Sequence, residues 1–502
     1  MSGFDGYLLL VIVALPFLGA LGLLAVPTER QALVHRYALA IAGVGLALSV
    51  YLFVAFEARG GDGFDYVFEW LPSLGVTLHL GVSGITAPLV LLNGIVFFAG
   101  TLVSRTITHR PKDFFIWLML LVTGVYGVFA SLDLFFFFFF YELAVVPMFL
   151  LIGVWGSSTD FKTFFRAKEY GAMKLTLYLV AGSVLVWIAL LAIWVEGGKM
   201  TGELTFDIVR LQELTFDRSF QVVFYPFLMI GFGVLAGMWP FHTWSPDGHV
   251  AAPTAVSMLH AGVLMKLGAF GILAVGMVLL PEGARVWAPL LLGLGTVNVL
   301  YGAVSALAQR DLKYVIGYSS VSHMGYVLMG LGTLDPIGVN GAVLQMFSHG
   351  VMTALFFTLA GVIYSRTHLR DITVLEGMAK RMGVTASFFA VAGLASLGLP
   401  GLSGFVAELM VFIGLFRTYP VLGVLAVIGA ALTAVYILRL LAKVFFGPLG
   451  ERWQDVADAS RREAVAGGLL VAVLFLWGFY PWYIMRIIDS GVGPLMERFI
   501  GA

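Results

Sequence analysis

Five ionisable side chains stand inside long apolar segments of this chain, and their types suit proton transfer. They are Glu142, Lys266, His323, His349 and Glu408. A charged group at the centre of a bilayer costs about 2.5–3.5 kcal/mol on insertion scales, so residues kept there mark ion or proton pathways by default. Imidazole titrates near physiological pH, and carboxylates and lysines can exchange protons when they are desolvated. The pattern therefore predicts a proton or ion route through a membrane bundle.

Three further residues are weaker candidates for the same route. Lys174 lies near the start of a predicted span, where it is either a relay member or an interfacial residue. His260 lies six residues before Lys266, and a regular α-helix would point these two side chains to different faces. A hydrogen-bonded packing role for His260 is equally consistent with that position. His242 follows a proline in a segment that contains helix breakers.

Each of the five main residues also has a structural interpretation. Glu142 and Lys266 could each form a permanent ion pair that fixes two helices, and Glu408 could hydrogen-bond across a helix break. The two histidines, His323 and His349, could be satisfied core residues or the axial ligands of a haem. A two-haem bundle needs a second matching histidine pair, and none is apparent in the sequence. Proton relay is the interpretation that accounts for all five residues together.

A short polar segment after Pro240 carries metal-ligating residue types. It contains His242, Asp247 and His249. Their spacing matches none of the strong metal motifs, so the segment is better interpreted as a loop that gates or docks.

Composition places the chain among helical membrane proteins. Its 502 residues are 60% hydrophobic and 12% charged, and the mean hydropathy is +0.97. A formal charge of zero and the lack of dense basic stretches exclude nucleic-acid binding. The lack of cysteine excludes disulfides, thiolate metal sites and iron–sulfur clusters. No phosphate-binding, dinucleotide-binding or nucleophile motif is found, so we expect no redox or substrate chemistry and no cofactor within this chain.

Apolar windows predict an all-α polytopic fold in a single membrane domain that covers residues 1–502. We predict about fourteen transmembrane helices, at 5–26, 36–56, 84–104, 114–131, 133–155, 169–195, 221–241, 254–279, 287–307, 311–332, 337–364, 385–416, 421–446 and 466–488. Leu132 alone separates the fourth and fifth segments. The first segment lacks the cationic start of a signal peptide, so we expect it to remain as a spanning helix.

The charges of the loops predict the orientation in a bacterial inner membrane. If the loops alternate sides, one side receives most of the arginines and lysines, Lys162 among them. The other side receives the acidic stretches 62–69 and 203–217. Positive loops stay in the cytoplasm. Both termini are therefore expected outside the cytoplasm.

Two predicted spans contain helix breakers at comparable places in the two halves of the chain. The seventh ends in Gly-Met-Trp-Pro-Phe-His at 237–242, and the twelfth contains Gly-Leu-Pro-Gly-Leu-Ser-Gly at 398–404. Proline removes a backbone donor, and in lipid such a break survives only where protein or water satisfies the freed groups. Paired broken helices indicate structural repeats with an ion site at each break.

Several motifs of this chain resemble the antiporter-like subunit M, also called chain 4, of the bacterial respiratory complex I, the proton-translocating NADH:quinone oxidoreductase. The motifs are Tyr-Glu-Leu at 141–143, Pro-Phe-His-Thr-Trp at 240–244, Ala-Gly-Val-Leu-Met-Lys at 261–266, Tyr-Ser-Ser-Val-Ser-His-Met-Gly at 318–325 and Gly-Leu-Pro-Gly at 398–401. Multi-subunit sodium/proton antiporters have related chains. The resemblance extends over about residues 110–450.

The resemblance implies an organisation and a set of partners. Three helices in 1–107 would precede two inverted five-helix repeats at 114–279 and 287–446, and 447–502 would hold a loop and the fourteenth helix. Helices 7 and 12 would be broken. The other membrane and peripheral subunits of the complex would be the partners, with lipid around them and protons as the transported species. Flavin, iron–sulfur clusters and quinone would belong to the partner subunits, so the chain would be a translocase subunit without a redox site of its own.

The resemblance also implies a role for each of the five residues. Glu142 matches the family's pairing glutamate, and Lys266 matches its central relay lysine. His323 and His349 match the connecting histidines. Glu408 matches the acid on the exit side.

One position departs from the family pattern. The family usually carries a lysine in the seventh helix that partners the glutamate of the fifth, and Leu235 stands at the matching place here. Either another base substitutes, with Lys174 or His242 as candidates, or the coupling is altered.

Two other functions fit the same residues. One is a cation/proton antiporter subunit, and the other is the membrane module of a related hydrogenase or CO2-hydration complex. Gene neighbours that encode NADH-binding and quinone-site subunits would favour complex I over both.

Overall fold

The computed structural model describes residues 5–61, 63–161 and 164–500, so Asp62 and Lys162 lie outside the described residues. In the first half the elements are α1 Asp5–Leu24, α2 Gln31–Ala58, β1 Tyr66–Leu71, β2 Val76–Leu80, α3 Thr86–Val103, α4 Pro111–Ala130, α5 Leu134–Trp155, β3 Thr159–Phe161, β4 Phe164–Arg166, α6 Lys168–Thr201, α7 Ile208–Leu211, α8 Arg218–Ala236 and α9 Trp244–Ala251. In the second half they are α10 Thr254–Leu259, α11 Met265–Gly271, α12 Pro281–Ala308, α13 Leu312–Gly332, α14 Pro336–Thr367, α15 Gly383–Ser396, α16 Ser403–Thr418, α17 Pro420–Phe445, α18 Arg461–Phe479 and α19 Pro481–Ile500.

The described residues form a helical bundle, as the hydropathy predicted. Twelve segments among them are long and apolar enough to cross a membrane. Three of these segments, 86–106, 254–277 and 336–367, are 94% buried, whereas several peripheral ones are only 33–39% buried. Two of the three carry Lys266 and His349, which places both residues in the interior of the bundle. The total of fourteen spans and the inverted repeats remain predictions.

Aspartates fix the start of several helices. Asp133, Asp311 and Asp335 are the N-caps of α5, α13 and α14, and each carboxylate accepts hydrogen bonds from backbone amides of the first turn. Such caps satisfy the amides that a helix leaves without partners at its N-terminus. Asp133 also confirms that the fourth and fifth predicted spans are separate, since α4 ends at Ala130 and α5 begins at Leu134.

The first helix break lies between α8 and α9 and is closed by one side chain from α12. Gly237 adopts a left-handed conformation with φ of 74° and ends α8. The Asn298 amide accepts from the backbone N–H of Trp239 at 2.6 Å and donates to the Gly237 carbonyl at 2.8 Å. A fully buried asparagine therefore satisfies the backbone groups that the break sets free, as a break in a membrane requires.

The helix that carries Lys266 is not a regular α-helix. Two π-helical segments, His260–Leu264 and Ile272–Met277, flank α11. The predicted span at 254–279 is confirmed as an apolar segment at 254–277. The regular α-helical spacing that was used to separate His260 from Lys266 does not apply within it. π-Helical turns inside α-helices are frequent at functional sites.

Two other details of the sequence interpretation need correction. The last predicted span, 466–488, is wrong at its C-terminal end, because α18 ends at Phe479 and Pro481 begins α19. Proline cannot continue a helix but is tolerated in its first turn. The region 447–502 therefore holds two helices rather than one. The acidic stretch 62–69 is not simply a loop, since β1 begins at Tyr66 and pairs with β2 in an antiparallel hairpin.

Candidate functional site

Lys266 and His349 are in direct contact in the interior of the bundle. Lys266 Nζ lies 2.7 Å from His349 Nδ1, and the same ammonium donates to the Ala261 carbonyl. Both side chains are at most 1% exposed. The π-helical segment supplies this carbonyl, since the acceptor lies five residues before the lysine. A proton can pass between the two nitrogens without an intermediate group.

His323 stands next along the same line. Its ring and that of His349 are stacked at 29°, with centroids 5.4 Å apart. His323 Nε2 hydrogen-bonds with the Ser396 hydroxyl at 2.9 Å, while Nδ1 contacts Gln345 Nε2 at 3.2 Å. Both ring nitrogens of His323 therefore have protein partners, which leaves none to bind a haem iron.

Glu408 ends the row. Its Oε1 lies 3.2 Å from His323 Nδ1, and the carboxyl group is about 5% exposed. The second helix break, between α15 and α16, lies directly against it. Gly398 has φ of 66°, and a Cβ added there would lie 2.7 Å from Glu408 Oε2. Glycine therefore permits both the backbone turn and the close approach of the carboxylate.

Glu142 does not join this row. The Ser183 hydroxyl faces its carboxyl group, and Glu142 Oε1 has no hydrogen-bond partner among the described residues. Leu235 is fully buried, as expected for an apolar substitute. The Tyr141 ring packs at 6.0 Å from that of Phe232, which is three residues before Leu235 on α8. No described cation forms an ion pair with Glu142.

Lys174 forms an ion pair with a carboxylate other than Glu142. Its ammonium lies 2.8 Å from Asp247 Oδ2. Arg166 pairs with the other oxygen of Asp247, and the Tyr314 hydroxyl donates to that oxygen at 2.8 Å. Lys174 is therefore tied to α9 and not to Glu142. The cluster joins α6, α9 and α13 at the base of the first break.

His249 and His260 form a pair near Lys266, whereas His242 packs against a different part of the bundle. The rings of His249 and His260 are 4.1 Å apart, and both residues are fully buried. His249 Nε2 also bonds the Ser245 hydroxyl at 3.0 Å. His242 packs edge-on against Tyr301 at 5.0 Å, and neither of its nitrogens has a described partner. Among the described residues no three histidine, aspartate or glutamate side chains form a metal-ligand group.

Several residues of the site were missed by sequence reasoning. Gln345, Ser396 and Asn298 are neutral and hydrogen-bonded, so neither charge nor helical period distinguishes them from ordinary helix residues. Lys313, a buried lysine that donates to the Ala252 carbonyl at 2.8 Å, falls among the positive loop charges when the sequence is interpreted alone. Its place two residues after Asp311, at the start of an apolar run, was the signal that could have identified it.

Comparison with known proteins points to one family. The family described as "NADH:quinone oxidoreductase/Mrp antiporter, TM" matches residues 131–433. A protein of Synechococcus elongatus named NAD(P)H-quinone oxidoreductase chain 4 1 is 39% identical over 490 residues, which cover 95% of this chain and 89% of that protein. The Gloeobacter violaceus protein named NAD(P)H-quinone oxidoreductase chain 4 is 36% identical over 94% of this chain and 89% of its own length.

Two solved structures share the fold. A chain of "Respiratory complex I from Thermus thermophilus with bound NADH" superimposes with a TM-score of 0.88 at 28% identity, covering 97% of this chain and 99% of that one. A chain of the Mrp complex from Dietzia sp. DQ12-45-1b has a TM-score of 0.84 at 19% identity, over 99% of this chain and 98% of that one. The second likeness concerns the fold alone.

Proposed function

The chain belongs to the family of NADH:quinone oxidoreductase/Mrp antiporter membrane subunits, and from this premise we propose that it is a proton-translocating subunit of a respiratory NADH:quinone oxidoreductase. The relatives named chain 4 support that assignment over most of their length. Redox chemistry, with flavin, iron–sulfur clusters and quinone, would take place in the other subunits. The two inverted repeats, 114–279 and 287–446, are part of the same proposal.

One observation carries the proposal: Lys266, His349, His323 and Glu408 lie in one buried row, in which the two histidine rings are stacked rather than hydrogen-bonded to each other. The four residues lie on four different helices, α11, α14, α13 and α16. Glu408 is in α16, the helix that follows the second break. Neighbouring members are separated by 2.7 Å, by a ring stack and by 3.2 Å. Such a row has no structural need to contain four ionisable groups, because apolar residues would pack at lower cost.

The first transfer in the row needs no rearrangement of side chains. Protonated Lys266 donates one N–H to Ala261 and a second to His349 Nδ1. When that proton crosses to Nδ1, the lysine becomes neutral and the ring becomes an imidazolium. Charge moves one step along the row without a change in the number of protons.

Gln345 can control the last step, from His323 to Glu408. In the arrangement observed, its amide N–H donates to His323 Nδ1, which makes that nitrogen an acceptor. Protonation of Nδ1 turns it into a donor, and Glu408 Oε1 at 3.2 Å is then the acceptor within reach. A rotation of the Gln345 amide would let its oxygen, which has no described partner, accept instead. The site therefore has two hydrogen-bond states for two protonation states.

Protons would enter and leave the buried row near the two helix breaks. On one side, His249 and His260 lie between Lys266 and the Asp247 cluster at the first break. On the other, Glu408 touches the turn at Gly398. Buried nitrogens of His249, His260 and other histidines lack protein partners, and water normally satisfies such groups. Hydrated breaks at both ends would connect the row to the two aqueous phases.

The whole complex in inverted membrane vesicles provides the test. We expect Lys266→Ala to abolish most NADH-driven proton uptake, while NADH oxidation by the peripheral subunits continues. Lys199→Ala is the matched control, because Lys199 is exposed at the end of α6 and, among the described residues, forms an ion pair with Glu196 alone. Normal proton uptake in the Lys266 variant would refute the relay.

The same vesicles separate the competing functions. A cation/proton antiporter subunit would dissipate a pH gradient on addition of sodium without NADH. A subunit of a hydrogenase or CO2-hydration complex would co-purify with neither NADH-binding nor quinone-site subunits. Either result would replace the complex I assignment while leaving the buried row in place.

A further inference from the structure

Three helix ends meet in a basic cavity that the proton row does not use. The cavity measures about 620 Å³ and lies where the end of α3, the end of α14 and the start of α18 converge. Arg105, Arg366, Arg461 and Arg462 line it, with Glu463 as its one carboxylate among the described residues. Its volume is within the range of small-molecule sites, about 300–1,000 Å³.

The carboxylate in the cavity lining does not neutralise all of the arginines around it. Arg366 donates two hydrogen bonds to Glu463, one of them at 2.7 Å, so these two residues cancel. Arg105, Arg461 and Arg462 are exposed and form no ion pair with any described residue. Three guanidinium groups are therefore left around one space. Arginine forks bind phosphate oxygens in pairs, and three of them favour an anion of that type.

A second cavity, with a mostly apolar surface, adjoins the basic one and is called the apolar cavity. It measures about 370 Å³ and shares Val103, Thr106, Ser365 and Glu463 with its neighbour. Phe114, Trp155 and Val362 contribute apolar surface to it, and the polar side chains Lys313 and His368 also line it. The Trp155 indole N–H donates to the His109 carbonyl at 2.7 Å, an arrangement typical of tryptophan at a membrane interface. The two cavities together offer a site for a phosphate and for a hydrocarbon chain.

We propose that this double cavity binds an anionic phospholipid, with the headgroup phosphate among Arg105, Arg461 and Arg462 and one acyl chain in the apolar part. Basic pockets between helices on the cytoplasmic side of a membrane recognise such headgroups. The apolar extension distinguishes a lipid from free phosphate, which would use only the basic part. The floor of the apolar cavity is formed by residues 252–255, at the start of the segment that carries Lys266. A bound lipid would hold α3, α14 and α18 against that segment.

Binding to the delipidated complex, measured by native mass spectrometry, tests the proposal. The probes are dioleoyl phosphatidylglycerol, dioleoyl phosphatidylcholine, dihexanoyl phosphatidylglycerol and inorganic phosphate. We expect the long-chain anionic lipid to bind more tightly than the other three. Each of Arg105→Gln and Arg462→Gln should weaken it about fivefold, and the double variant about 25-fold, as expected for about 1 kcal/mol per basic residue.

Arg381→Gln is the matched control, an exposed arginine outside both cavities. Equal lipid binding by the double variant and this control would overturn the proposal. Equal binding of phosphatidylcholine would remove the role of the arginines, and equal binding of inorganic phosphate or of the short-chain lipid would remove the role of the apolar cavity. Each of these results overturns it as well. The substituted arginines are exposed, and the melting temperature of each variant confirms that it is folded.

Discussion

Lys266 Nζ lies 2.7 Å from His349 Nδ1, although the two residues are 83 positions apart in the chain. The contact joins α11 to α14 and places a lysine and an imidazole within direct proton-transfer distance. Neither residue has a carboxylate partner in this contact. The pair is therefore organised for exchange of a proton rather than for a permanent ion pair.

Replacement of His349 should interrupt the row while the bundle stays assembled. We expect His349→Gln to slow proton translocation by about a hundredfold, the lower end of the usual contribution of a proton-transfer group. NADH oxidation, measured with an ionophore that collapses the proton gradient, should continue. His109→Gln, at an exposed histidine, is the control. Pumping in the His349 variant equal to that of the control would exclude His349 from the route.

Gln345 should act as a positioning residue for His323. We expect Gln345→Leu to retain assembly but to change the pH profile of pumping, because His323 Nδ1 loses the donor that competes with Glu408. Gln345→Glu should shift that profile in a different way, since it adds a second acceptor. An exposed glutamine, Gln454, provides the control in Gln454→Leu. A pH profile that matches wild type in both Gln345 variants would mean that the glutamine only fills space.

Gly398 should not tolerate a side chain. Gly398 has a left-handed backbone φ of 66°, which residues with a side chain rarely adopt. A Cβ added there would also lie 2.7 Å from Glu408 Oε2. We expect Gly398→Ala to destabilise the subunit by about 1–3 kcal/mol and to reduce pumping. Thermal unfolding in detergent and vesicle assays measure the two effects. Gly493→Ala is the control, because nothing lies within 4 Å of a Cβ there, and equal stability of the two variants would contradict the argument.

Leu235→Lys restores the lysine of the family pattern and tests whether Glu142 lacks a cationic partner. The added ammonium favours the ionised carboxylate when it lies within about 4–6 Å, so the pH of half-maximal pumping should fall by about one unit. Leu235→Met keeps the position apolar and serves as the control. An unchanged pH profile in the lysine variant would indicate that Glu142 already has a substitute partner in the assembled complex.

The β1–β2 hairpin should lose stability at both ends of the pH scale. A hydrogen bond with Asp207 raises the pKa of His79 above 6.5, and His79 Nδ1 lies 2.7 Å from Asp207 Oδ2. Burial opposes ionisation of Asp207, but the hydrogen bond with His79 holds its pKa below the usual range. The raised histidine pKa gives stability that is lost as pH rises through its folded value. The lowered aspartate pKa gives stability that is lost as pH falls through its folded value.

Hydrogen exchange of the hairpin amides measures this dependence. Protection should be greatest between the two folded pKa values and should become flatter in His79→Gln. Asp133 also contacts the hairpin, at 3.0 Å from the Thr77 amide, and burial raises its pKa to about 6. The Asp133 carboxyl titrates in both proteins, so the difference between them reports the His79–Asp207 pair. An identical pH dependence of protection would contradict the pairing.

Sequence alone determined the helical membrane fold and identified the ionisable residues of the buried row. Apolar runs long enough to span a bilayer predict helices locally, and an ionisable residue within such a run is conspicuous without any knowledge of its neighbours. For that reason Lys266, His349 and Glu408 could be selected from the sequence. Gly398 and Gly237 likewise marked the breaks, since glycine and proline act on the backbone at their own positions.

Only the tertiary structure decided which of these groups meet. Proton transfer requires contacts near 3 Å, and such distances depend on how distant helices pack rather than on local sequence. Packing paired Lys174 with Asp247 and not with Glu142, and it brought the neutral Asn298 to the first break. It also placed Gln345 and Glu408 against the same nitrogen of His323, where they compete. Neutral side chains of this kind carry no signature in the sequence, because their role arises only from the groups placed around them.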